Sequence, residues 1–72
     1  MDVFVRTTEG KLIVVRVYPG MTVMEIKMDL LRKWGTSIHH QRLTLSGRVL
    51  EDPKTIEDEG IVEYSTLYLD SM

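Results

Sequence analysis

No cysteine occurs in the 72 residues, so neither a disulfide nor a thiolate-held metal can staple the chain. That bears on stability, because folding at this length buries only about 60% of the surface the unfolded chain exposes. The core must suffice alone, and an apolar content of 43% allows it. Excess positive charge is also missing. The formal net charge is −2, and a single tryptophan and a single phenylalanine offer little for bases to stack on, which argues against nucleic acid and against an anionic membrane as partner. No apolar run approaches the length that spans a bilayer. Met1 leads at once into an alternating pattern, without the basic and apolar stretches of a signal peptide. The expectation is one soluble intracellular domain covering 1–72, cytoplasmic or nuclear, with no repeat, linker or low-complexity tract.

What is present is strong local patterning. Asp2-Val3-Phe4-Val5-Arg6-Thr7 alternates as a strand does, and Leu12-Ile13-Val14-Val15-Arg16-Val17 is a second β-branched run with Ile13, Val15 and Val17 on one face. Thr8-Glu9-Gly10 between them predicts a hairpin with a bulged turn, the glycine supplying a positive φ. After Pro19-Gly20, Thr22-Val23-Met24-Glu25 forms a capping box, with the hydroxyl and the carboxylate each satisfying an orphan amide of a helix start. Val23, Ile26, Leu30 and Trp34 follow at helical spacing as one apolar stripe. Arg32 and Lys33 suit the last turn, and Gly35 can close it. Gln41–Leu45, a Ser46-Gly47 turn, Arg48–Leu50 and Ser65–Leu69 then read as short strands. The acidic Glu57-Asp58-Glu59-Gly60 lies between Ile56 and Ile61. One helix laid across a small mixed sheet of four to five strands buries all these stripes together, an α+β arrangement.

That order of elements resembles ubiquitin over the whole chain. The likeness is carried by Met1, Phe4-Val5, Thr7, Gly10-Lys11, Pro19, Thr22, Lys27, Gly35, Gln41-Arg42-Leu43, Gly47, Leu50-Glu51-Asp52, Ile61 and Ser65-Thr66-Leu67. The opening six residues are also similar to ubiquitin-like domains of the parkin type. The resemblance implies a β-grasp fold and the role of a recognition module, not an enzyme. The departures bear on partners. The chain as given ends Leu69-Asp70-Ser71-Met72, with no diglycine tail, so it is expected not to be charged onto an activating enzyme. The positions matching ubiquitin's apolar recognition patch are Thr8, Thr44, Tyr68 and Asp70. The reading is therefore a non-catalytic protein-interaction module, the N-terminal domain of a larger protein in a ubiquitin-, proteasome- or scaffold-related setting. The alternative is a ubiquitin-like modifier whose glycine tail lies outside these residues.

Candidate chemistry is thin. Adjacent His39-His40 would face opposite sides of a strand and lack a third ligand at a suitable spacing, so two solvated loop histidines are expected. Ser46, Ser65 and the aspartates fall in no nucleophile or phosphate-loop motif. No catalytic residue, metal or cofactor is expected. Candidate contact residues are better defined. Alternation turns Phe4, Leu12 and Val14 outward on neighbouring strands, and Tyr64 joins them at the start of the closing strand. Met24, Met28 and Leu31 form a second helical stripe about 100° from the first, with Met21 just before it. The ubiquitin resemblance implies that Arg6, Arg42 and Arg48 share the outer sheet face with Tyr68 and His40, as a basic patch for an acidic partner. The partner expected is a protein of unidentified kind, with weak self-association through the apolar patches.

Overall fold

The computed structural model describes residues 1–35 and 41–71. The elements run β1 (Asp2–Thr7), β2 (Leu12–Arg16), α1 (Val23–Trp34), β3 (Gln41–Leu45), β4 (Arg48–Val49) and β5 (Thr66–Ser71). The strands form one mixed sheet in the order β2-β1-β5-β3-β4, with β1 and β5 parallel and the other pairs antiparallel. The α+β arrangement and the strand count agree with the sequence reading. His39-His40 lie outside the described residues.

The first hairpin forms as its turn chemistry dictates. The Thr7 amide donates to the Lys11 carbonyl and the Gly10 amide to the Thr7 carbonyl, with Gly10 at φ +86°. Five residue pairs then run without interruption from Asp2 opposite Arg16 to Arg6 opposite Leu12. The second hairpin turns on Ser46 and Gly47, both at positive φ, as a type I′ turn requires. This turn sets Leu45 opposite Arg48.

The helix start leaves no orphan amide among the first four. The Thr22 amide donates to Glu25 Oε2 at 2.8 Å and the Glu25 amide to Thr22 Oγ1 at 3.2 Å, which is the expected capping box. The Val23 and Met24 amides donate to the carbonyls of Lys54 and Asp52, so the loop after β4 completes the cap. The same loop is tied down by the Ile56 amide on the Met21 carbonyl and by an ion pair between buried Lys27 and Asp52. Replacing Thr22 with alanine strips one acceptor from this arrangement and is expected to lower stability by about 1 kcal/mol, measured by urea unfolding, with an unchanged m-value.

The core lies between sheet and helix. Val3, Val5, Ile13, Val15 and Val17 come from the first hairpin, Val23, Ile26 and Leu30 from the helix, and Leu43, Leu50, Ile56, Ile61, Leu67 and Leu69 from the rest. Two expectations need correction. Trp34 does not continue the core stripe: it is 50% exposed, and Lys11 Nζ sits 5.8 Å from its ring centre. Leu30 is the last buried position of the helix, and Trp34, one turn further on, stands half in solvent. Met21 belongs to the core and not to the exposed helical stripe, because the loop bonded to its carbonyl folds over it.

Candidate functional site

The outer sheet face is built by strand alternation. Val3, Val5, Ile13 and Val15 point into the core, which turns Asp2, Phe4, Arg6, Leu12, Val14 and Arg16 away from it. Pair geometry brings these side chains close. Met1 and Val17 exchange both backbone hydrogen bonds, at 2.9 and 2.7 Å, so hydrogen-bonded pairs fall on the odd-numbered residues of β1. Phe4 with Val14 and Arg6 with Leu12 are therefore the non-hydrogen-bonded pairs, whose Cα atoms approach to about 4.5 Å. Parallel pairing to β5 continues the rows, with Thr66 beside Phe4 and Tyr68 beside Arg6. One row reads Leu12, Arg6, Tyr68, Thr44, Val49 across all five strands.

Tyr64 completes the apolar end of the face. Its ring stacks on Phe4 with centroids 6.1 Å apart and an interplanar angle of 18°. This placement depends on an unusual backbone: Tyr64 has φ +65°, a conformation that costs a non-glycine residue about 1–2 kcal/mol. It is imposed by the Tyr64 amide on the Asp2 carbonyl at 2.7 Å, the Ser65 amide on the Val62 carbonyl, and the Val62 amide on Ser65 Oγ. Sequence reasoning placed Tyr64 in the cluster but gave no sign of this strain. Leu12, Val14 and Tyr64 are 57%, 54% and 63% exposed, while Phe4 is half-buried beneath the stack. The structure thus brings these four together.

The arginines divide. Arg6 and Arg42 lie on the outer face, and Arg42 stands opposite Asp70. Arg48 does not join them. The two-residue turn sets it opposite Leu45, which packs against the core, so Arg48 projects to the other side of the sheet. There its guanidinium donates to Glu59 Oε1 at 3.4 Å and to the Glu59 carbonyl at 2.7 Å. Glu59 also accepts from the Glu51 amide and is 7% exposed, so this member of the acidic run is structural. Turn length gave a usable signal for Arg48, since a two-residue loop fixes facing pairs. Nothing local marked Glu59, because an acidic run normally reads as solvated.

Two concavities flank these surfaces. The first, about 330 Å³, opens on the outer face and is lined by Arg6, Thr7, Thr8, Thr44, Tyr68, Leu69 and Asp70. It contains Thr8, Thr44, Tyr68 and Asp70, the positions matched to ubiquitin's apolar patch, with Arg6 and Asp70 as its charged members. The second, about 390 Å³, lies beside the helix between Tyr18, Met21, Glu25, Met28 and Arg32. Met28 and Leu31 are exposed, as the second helical stripe implied, but Met24 is half-buried where its amide joins the Asp52 carbonyl. The helix stripe is therefore shorter than its spacing suggested. Among the described residues, no three histidine, aspartate or glutamate side chains are grouped to hold a metal ion, and no helix is long and apolar enough to cross a membrane.

Compared with models of known protein families, residues 3–69 match the model of the ubiquitin family.

Proposed function

The chain belongs to the ubiquitin family, and from that membership we propose that it is a non-catalytic protein-interaction module that docks through its outer sheet face. The observation that carries the reading is the contiguous, solvated apolar surface of Phe4, Leu12, Val14 and Tyr64. Contiguous apolar patches mark contact sites where scattered ones do not. A tyrosine held at a strained φ to cap that surface adds weight, since such strain collects at functional positions. Charge points to the kind of partner. Arg16 bonds Asp2 at 3.5 Å and Arg42 faces Asp70, whereas the cross-strand neighbours of Arg6 are Leu12 and Tyr68, both uncharged. A protein surface with an apolar centre and a carboxylate set to meet Arg6 would fit this face.

Replacement of Tyr64 with glycine tests the proposal. Glycine relieves the strain of about 1–2 kcal/mol but loses a ring stack of about 0.5–1.5 kcal/mol and adds backbone entropy to the unfolded chain. Stability is therefore expected to stay within about 1 kcal/mol of wild type. Affinity for a partner recovered with the 72-residue chain as bait is expected to fall about tenfold, since a tyrosine buried in an interface commonly carries that much. Undiminished affinity, by calorimetric titration of the folded variant, would remove this face as the docking site.

A further inference from the structure

The two sheet edges are unequal. The β4 edge is two residues long, short enough to be a poor template for another strand. The β2 edge is five residues long, its pairing to β1 has no bulge, and Leu12-Ile13-Val14-Val15-Arg16 contains neither proline nor lysine. Natural edges are usually blunted by short length, bulges, proline or charged side chains, and of these the β2 edge has only Arg16, at its end. Since the odd-numbered residues of β2 bond inward to β1, the amide and carbonyl groups of Leu12, Val14 and Arg16 point outward from the sheet. Among the described residues, none pairs with them.

We infer that β2 is a self-pairing edge, on which a second copy of this chain adds antiparallel to make a two-fold symmetric, continuous sheet. Only the register centred on Val14 pairs all five residues of β2 with the same strand of a second copy. Centred on Val14, the two-fold axis sets Val14 against Val14 of the second copy and Leu12 against Arg16, each pair exchanging two backbone hydrogen bonds. A register centred on Arg16 would oppose two guanidinium groups, which is unfavourable across strands. One centred on Leu12 would run Val14 against Gly10, inside the hairpin turn. In the favoured register the apolar cluster of Val14, Phe4 and the Tyr64 ring stacked on it meets the same cluster of the second copy, so two apolar faces become one. The inference rests on the open edge and not on the docking proposal, and either can fail without the other.

The contact is small, so association belongs to the weak, transient class, to be sought from tens of micromolar to about 1 millimolar protein. Two readouts separate edge pairing from stacking of the apolar faces. Sedimentation of the 72-residue chain is expected to show a mass rising towards the dimer with concentration. Amide exchange at Leu12, Val14 and Arg16 is expected to slow over the same range, while the already bonded Ile13 and Val15 amides do not change. Charge exchange at the axis then fixes the register. Val14→Lys and Val14→Glu alone should each weaken self-association tenfold or more, and an equimolar mixture should restore it as a heterodimer. A wild-type chain monomeric throughout would overturn the inference. So would a dimer in which these three amides stay unprotected, a mixture of the folded variants that does not associate, or an edge protected only by a strand of a different protein.

Discussion

Replacing Glu59 with alanine is expected to destabilise the fold by about 2–4 kcal/mol. The side chain is almost fully buried and holds three elements together: β4 through Arg48, the start of the following loop through the Glu51 amide, and its own segment, which carries Ile56 and Ile61 into the core. Removing it leaves the Glu51 amide without that acceptor and a void where the carboxylate stood. The cost does not come chiefly from the ion pair, because the Arg48 side chain is more than half exposed and can return to water. For a domain of this size total stability is about 4–11 kcal/mol, so the loss is a large fraction of the whole. A fall in the thermal midpoint of roughly 10–25 °C would follow. Glutamine at the same position retains shape and an acceptor, and should lose about half as much. If Glu59→Ala melts within a few degrees of wild type, the segment is not held as described.

The second large effect concerns binding. Threonine keeps the β-branching of Val14 and introduces it at Leu12, and exposed strands favour it, so stability should change by less than about 1 kcal/mol. Partner affinity should nevertheless fall tenfold or more, at least about 1.4 kcal/mol, because two apolar contacts of the docking face become polar. Changing Met28 and Leu31 to glutamine serves as the contrasting variant. These helix residues are also exposed but lie on the opposite side of the molecule, so capture should survive. Loss of capture by the helix variant alone would move the docking surface to the groove beside Tyr18 and Met28.

What could be read from the sequence was what is local. The capping box at Thr22 and Glu25, the Gly10 turn and the alternation that turns Phe4, Leu12 and Val14 outward depend on near neighbours, and all are found. Met21, Met24, Glu59 and Trp34 depend on how distant segments meet. Met21 and Met24 are covered only because the chain from Asp52 to Ile56 bonds back to the helix start, 28–35 residues away in sequence. Trp34 keeps the helical period but stays half exposed, and no periodicity states where the buried stripe ends. Arg48 is intermediate: the two-residue turn fixed its side, while the ubiquitin resemblance suggested the other. Ring stacking of Tyr64 on Phe4 likewise required the backbone of Tyr64 in a conformation that its residue type disfavours.

The proposal that this ubiquitin-family domain docks through its outer sheet face is best tested by mapping amide chemical shifts of the isotope-labelled chain, saturated with a partner recovered by capture. The expected map has its largest changes at Phe4, Arg6, Leu12, Val14 and Tyr64, with Met28 and Leu31 unmoved. Changes confined to the helix at Met28 and Leu31, with the sheet face silent, would contradict it.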